Sequence, residues 1–331
     1  MGRNRGAFLK AFPMSDQHSD YTYGASAATA SAPPPMPPQI APPKQDRTGL
    51  AILLMCVVSF IFALQDSVSR ILGSQYPAVL IVMIRYWVFA AFVTVLVSRQ
   101  PGGLRRAIRT KRPLTQIARG VLLAAEVLLM VEAFVRLGLI ETHAVFAVYP
   151  LLIAALSGPI LGEKVGWRRW TAIGFGFAGI LVVLNPSGGV MSWSALLPFG
   201  AASLFALYGL LTRHVSRDDP AMVSFFWTGI AGAAAITLVG IWDWQWLAPT
   251  DWIWMAALCV CGMTSHYLMI RSYEMAEASA LQPFSYTQLV WISFIGVIFF
   301  SETLRTNVII GACIVVGAGM FTLWRQRQKA R

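Results

Sequence analysis

Two ionisable residues lie near the middle of long apolar runs. Arg85 is centred in the run 78–98 and Glu126 in the run 115–137. A charge at that depth in hydrocarbon is costly unless it is paired or hydrated, so both are functional candidates by default. Glu126 could accept a coupling proton or meet a cationic substrate, with Arg85 tuning it. The competing reading is a static ion pair that fixes the two runs against each other. Asp66/Arg70 and Glu132/Arg136 are spaced i,i+4, which puts each pair on one helix face near the end of its run. These read as rim salt bridges or gate pairs. Arg119, one turn into its run, is expected to snorkel to the nearer surface. Glu163 and Glu302 follow the fourth and ninth runs and read as caps for the helix after each.

A second set is aromatic and amide. Phe146 and Tyr149 are one turn apart, Tyr286, Gln288 and Trp291 sit together, and His266 lies in another run. Pro150 removes a backbone donor and so frees a carbonyl for a neighbour, a water or a substrate. Such a set could line a cavity for a planar or amphipathic metabolite, although packing or lipid contact explains any single aromatic better than substrate contact does.

The elements that must position these residues are ten apolar runs: 49–69, 78–98, 115–137, 143–162, 168–185, 193–212, 221–242, 252–271, 279–301 and 307–324. A hydrocarbon core of about 30 Å needs roughly 20 helical residues, which most of the runs supply. The chain is 56% hydrophobic and 12% charged, too little charge for an ordinary soluble domain of 331 residues. The runs are continuous rather than alternating, which excludes an outer-membrane barrel, and backbone pairing in lipid then requires helices. The expected fold is an all-α polytopic membrane protein.

A net charge of +11 would suit a nucleic-acid binder, but the cations lie in short loops between the runs. Even-numbered connections and the two termini hold 21 of the 26 Lys and Arg, and the opposite side holds three (Arg70, Arg136, Arg305). Positive charge stays in the cytoplasm, so both termini are expected inside a cytoplasmic (inner) membrane, and no nucleic-acid partner is expected. Trp242, Trp244 and Trp246 then mark an outer interfacial anchor. Residues 1–47, with the run Pro33-Pro34-Pro35-Met36-Pro37-Pro38, read as a disordered cytoplasmic tail without a signal-peptide core. Residues 326–331 read as a short basic tail.

Runs 4–5 and 9–10 resemble each other. One reads Glu141-Thr-His-Ala, then Tyr149-Pro150, Leu161-Gly162-Glu163 and a Gly-rich helix. The other reads Glu277-Ala-Ser-Ala, then Tyr286, Phe300-Ser301-Glu302 and another Gly-rich helix. This divides the chain into a first repeat over 48–185 and a second over 186–325. Five crossings is an odd number, so the halves must be inverted, a hallmark of secondary transporters whose site lies at midplane between them.

On these residues the chain resembles the EamA type of the drug/metabolite transporter superfamily, from about Arg47 to Arg327. The most specific stretches are Pro150 to Gly179, and Gln282 to Gln288 continuing through Ser301-Glu302 to Gly319. Asp66, Arg70 and Arg85 stand where members often carry an acidic/basic pair and a second-helix arginine, although position 70 is more often Lys. The resemblance implies secondary transport of a small metabolite; members carry amino acids, nucleosides, vitamins or S-adenosylmethionine. The expected partners are that metabolite, the lipid bilayer and a coupling proton, with oligomeric state open.

Several other signals carry no chemistry. Gly174-Phe-Gly176-Phe-Ala-Gly179 matches a dinucleotide-binding pattern, but no strand precedes it, and small residues for close helix packing explain it better. Cys56, Cys259, Cys261 and Cys313 lack zinc spacing. With no nucleophile–base cluster and no ring of like charges, a membrane-embedded enzyme and a channel are weaker readings than transport, and short loops weaken a receptor role. No cofactor is expected, and without an ATP-binding motif transport is expected to be secondary.

Overall fold

The computed structural model describes residues 48–162, 166–184, 194, 196–275 and 278–330. The Pro-rich tail, Glu163 and Glu277 lie outside the described residues. Among these described residues thirteen α-helices follow in order: α1 (Thr48–Gly73), α2 (Ala78–Ser98), α3 (Gly103–Ile108), α4 (Pro113–Leu137), α5 (Leu139–Phe146), α6 (Tyr149–Leu161), α7 (Trp167–Leu184), α8 (Leu196–Val215), α9 (Ala221–Gly240), α10 (Asp251–Met275), α11 (Ala278–Ser285), α12 (Thr287–Phe300) and α13 (Thr306–Ala330). Among the described residues there is no strand.

Among the described residues ten crossings emerge, two of them split. Seven segments are long and apolar enough to span a bilayer, and Trp170–Leu184 and Thr306–Thr322 are shorter apolar helices. The remaining crossing is α4, whose 25 residues include Arg119, Glu126, Glu132 and Arg136 and are therefore less apolar. The short α3 lies in the arginine-rich connection, and α13 continues helically to Ala330, so residues 326–330 of the basic tail extend the last helix.

The runs expected to form single helices at 143–162 and 279–301 are both interrupted. The first begins earlier, at Leu139, and breaks at Ala147 and Val148 with Pro150 in the first turn of α6. The second breaks at Tyr286, three residues after Pro283. Proline withholds an amide from the helical ladder, and the local turns that replace the lost bonds end each half-helix. The two split crossings also end alike. Gly162 closes α6 and Ser301 closes α12, both left-handed, at φ of 71° and 53°. Glycine takes that conformation freely, whereas serine must be held there by its surroundings.

Packing follows the repeat. α1 lies against α10 and, correspondingly, α4 against α8; α2 pairs with α9 and α7 with α13. The two five-crossing halves are therefore inverted and interlocked. The α7–α13 crossing depends on missing side chains: a Cβ at Gly179 would stand 2.9 Å from the Gly311 carbonyl, and one at Gly311 would stand 2.6 Å from the Gly179 carbonyl. Gly176 likewise leaves room only for Leu151, whereas Gly174 faces open space. Lipid offers little hydrophobic drive for helix association, so such backbone approach supplies dispersion contact instead.

The bundle has two chemically distinct ends. At the arginine-rich end, Asp219 accepts from Gln116 at 2.9 Å, from the Lys111 amide at 3.2 Å and from Thr110. Burial opposes ionisation there, but these bonds and the Lys111 charge outweigh it and hold the Asp219 carboxyl below its ordinary value. At the other end, Trp244 stacks on Trp87 at 5.6 Å, and Trp242 is largely exposed. Tyr76 donates to Asp251 at 2.6 Å while accepting from the Ala248 amide, which fastens the loop before α10 to the end of α1.

Candidate functional site

At the tryptophan end, the first half of the fourth crossing, α5, meets α1 and α12. The Asp66 side chain on α1 does not pair with Arg70. Its Oδ2 instead faces His143 Nε2 of α5 at 3.1 Å and accepts from Gln288 Nε2 of α12 at 2.9 Å. Gln288 Nε2 is also 3.3 Å from His143 Nε2, so three polar atoms from both repeats close a small triangle. Phe134 of α4 lies flat on the His143 ring, with centroids 5.3 Å apart, and limits the ring to this plane.

Arg70 crosses to Glu302, an ion pair that also places the guanidinium 4.3 Å from the Phe300 ring centre. Glu302 does not cap α13, the helix that follows it. Its two oxygens accept from the Leu139 and Ile140 amides, 2.8 and 2.9 Å away, and so cap the N-terminus of α5. Glycine makes this fit possible. Gly138 has φ of 87°, and a Cβ there would lie 2.8 Å from Glu302 Oε1; one at Gly296 would lie 3.1 Å from Oε2. Arg305 and Glu141 add a second ion pair at the same end, at 3.1 Å. Spacing alone pointed to intrahelical pairing for Asp66/Arg70 because it cannot see partners brought in by tertiary packing. The Glu132/Arg136 pair does form along α4, at 2.8 Å, on an exposed face.

Deeper in the bundle, Glu126 is only 6% exposed, and Arg85 is half-buried. They are not joined: among the described residues neither makes a hydrogen bond or an ion pair, although the Arg85 charge still acts on Glu126 at longer range. Equal depth on two helices did not make them partners, because α2 turns Arg85 towards Gly262 of α10 and Gln65 of α1. The Gln65 Oε1 atom is buried there without a hydrogen-bond partner. His266, one turn after Gly262, donates from Nδ1 to that residue's carbonyl at 2.8 Å and is ringed by Phe62, Phe89 and Phe225.

The aromatic set divides. Phe146 and Tyr149, on either side of the break between α5 and α6, lie 5.4 Å apart between ring centres and both contact Phe205 of α8. Tyr208, a turn further along α8, continues the row to Arg119. Tyr149 is hydrogen-bonded to Ser285, the last residue of α11, which links the two helix breaks. Tyr286 belongs to the same apolar cluster, with its hydroxyl buried against Gly319 and without a partner. Trp291 does not join them. It is 38% exposed in a stripe with Val290, Phe294 and Ile298, and packs edge-on against Phe60, a position suited to lipid.

Arg119 does not snorkel either. It is 1% exposed and bonded to Thr212 at 2.9 Å, to Gln116 and to Tyr208. Phe205, Tyr208 and His143 are the residues that sequence reasoning missed. His143 stood inside the quoted Glu141-Thr-His-Ala repeat segment, which was a usable signal; nothing distinguished Phe205 from ordinary apolar filling. The cysteines are unpaired, and no cluster among the described residues could hold a metal ion.

The sequence profile of the EamA-like transporter family matches residues 49–185 and 192–324, once in each half. A riboflavin transporter of Vibrio cholerae is 26% identical over 84% of this chain and 95% of its own length. An S-adenosylmethionine uptake transporter of Rickettsia felis is 23% identical over 85% of this chain and 94% of its own. A riboflavin transporter of Rhizobium johnstonii is 25% identical over 86% and 94%. One solved crystal structure overlays 85% of this chain, and 98% of its own, with a TM-score of 0.54 at 19% identity, a likeness of fold.

Proposed function

The chain belongs to the EamA-like transporter family, and from that premise we propose that it carries a flat nitrogen-heterocyclic metabolite by alternating access. It is a multi-pass membrane protein that transports a small metabolite. Relatives named for riboflavin and for S-adenosylmethionine support the narrower class, since both compounds join a planar heterocycle to a polar chain. The observation that carries the reading is the break in both repeat-related crossings, at Ala147–Val148 and at Tyr286, with Phe146, Tyr149 and Tyr286 beside them. Interrupted helices at a repeat interface leave backbone groups free to meet a ligand, and adjoining rings offer faces for stacking. Glu126, with no ion-pair partner among the described residues, suits the positive charge of a compound such as S-adenosylmethionine or a coupling proton. Arg85, Gln288 and His266 complete the polar lining in this reading.

Counterflow in proteoliposomes with labelled riboflavin and S-adenosylmethionine tests it directly. Exchange of at least one is expected, and failure of both would overturn the substrate class. Tyr149→Ala should then weaken binding by up to about tenfold, the value of one lost stacking contact. Trp291→Ala should leave binding unaltered, in keeping with its outward face.

Both termini are proposed to lie in the cytoplasm, with the protein in the cytoplasmic membrane. The 21-to-3 cation split of the sequence supports this. Reporter fusions after Arg331 and within residues 244–250 should report opposite sides. An external C-terminus would reverse the assignment.

A further inference from the structure

His143 fixes the proton count of the cluster at the tryptophan end. Its Nδ1 lies 3.0 Å from the Leu139 carbonyl, which can only accept, so Nδ1 carries a hydrogen. A neutral ring then presents a bare lone pair at Nε2, and that atom faces Asp66 Oδ2 at 3.1 Å. An ionised Asp66 would also present only lone pairs. Gln288 cannot resolve the conflict alone. Its amide bonds Oδ2 at 2.9 Å and lies 3.3 Å from Nε2, and the wide angle between amide hydrogens prevents both from aiming at two corners of so small a triangle. One further proton must therefore lie between Nε2 and Oδ2.

We propose that Asp66 and His143 hold one shared proton between the repeats, and that its loss moves Arg70 from Glu302 to Asp66 and releases the tryptophan end of the bundle. With the proton present, the pair carries no net charge, whether as imidazolium and carboxylate or as neutral ring and acid. Arg70 then finds its anion across the interface in Glu302. When the proton leaves to water, His143 is neutral and Asp66 is an unshielded carboxylate one helical turn from Arg70. The i,i+4 spacing makes Asp66 a ready partner, in competition with Glu302. The Nε2 and Oδ2 lone pairs now repel, so α1 loses its ties to α5 and to the loop after α12 together.

The surroundings of the ring contain few rivals for this role. α1 presents Asp66, α12 presents Gln288 and α4 presents Phe134. Among the described residues, α7, α8 and α13, which also pack on α5, bring no titratable group into hydrogen-bonding or ion-pair contact with His143. Glu126 senses the Asp66 charge at longer range. The proposal rests on the alternating-access reading, but its test needs no substrate.

Spin labels at Ser74→Cys and Thr303→Cys, exposed positions beyond α1 and α12, report the separation of these elements by double electron–electron resonance. The four native cysteines are first replaced by alanine. In otherwise unaltered protein, a short-distance population should dominate in acid, at about pH 5, and give way several-fold to a longer one in alkali, at about pH 9. Asp66→Asn, whose amide can donate permanently to Nε2, should hold the short distance at every pH. His143→Gln, whose amide can donate to Asp66, should also abolish the pH response, and it serves if the first variant does not fold. A pH-independent distance in the unaltered cluster would overturn the proposal, as would a surviving response in either variant. Loss of the response in Glu126→Gln, with Asp66 and His143 intact, would assign the titration to Glu126 and also overturn it.

Discussion

Glu126→Gln abolishes gradient-driven accumulation of substrate and leaves substrate exchange running: that is the expected result if Glu126 carries the coupling proton. Exchange returns the carrier with substrate on both legs and moves no net proton, whereas accumulation draws on the proton gradient. Removing one member of a buried salt bridge commonly costs about 3–5 kcal/mol and unfolds many proteins. No such loss is expected here, because among the described residues Glu126 has neither an ion pair nor a hydrogen bond to lose. The variant should therefore be extracted as a monodisperse protein. Unchanged accumulation would sink the coupling role. Loss of exchange as well would mean that Glu126 meets the substrate itself, as expected for a cationic one.

Glu302→Ala should be the most destabilising single substitution at the tryptophan end. It removes the anion facing Arg70 and leaves the Leu139 and Ile140 amides without their acceptor. Orphaning a partly buried guanidinium and two helix N-terminal donors costs on the order of 3 kcal/mol. Thermal unfolding in detergent should show a clear drop in Tm, and Glu302→Gln, which keeps an acceptor oxygen but loses the charge, should recover part of it. Gly138→Ala should resemble the deletion. Its Cβ would press on the Glu302 carboxylate from a backbone at φ of 87° that alanine adopts poorly. If Glu302→Ala unfolds like the unaltered protein, the carboxylate does not hold α5 in place.

The sequence by itself determined the class of molecule. Ten apolar runs in a chain 12% charged admit no other solvent than lipid, and lipid admits only helices once alternation is absent. The repeat of Glu141–Glu163 in Glu277–Glu302, joined to an odd number of crossings, required the inverted arrangement that the paired packing displays. Glycine spacing likewise pointed to close helix packing, though not to its partner: Gly179 meets Gly311 of α13 and Gly176 meets Leu151, whereas Gly174 faces open space.

Partnership was decided by the tertiary structure. Asp66 and Arg70 satisfy the rule for an intrahelical pair, yet each found a partner more than seventy residues away. Arg85 and Glu126 share a depth and yet remain apart, since depth along a helix says nothing about the direction in which a side chain leaves it. Trp291 looked like a binding residue and faces outward for the same reason: its neighbours at Gln288 and Ile292 point inward, and rotation about the axis places it elsewhere. Periodicity fixes which residues share a face of one helix. Which face meets which neighbour depends on how ten crossings pack, and that is settled by residues such as Glu302, His143 and Gly138, whose partners are distant in sequence.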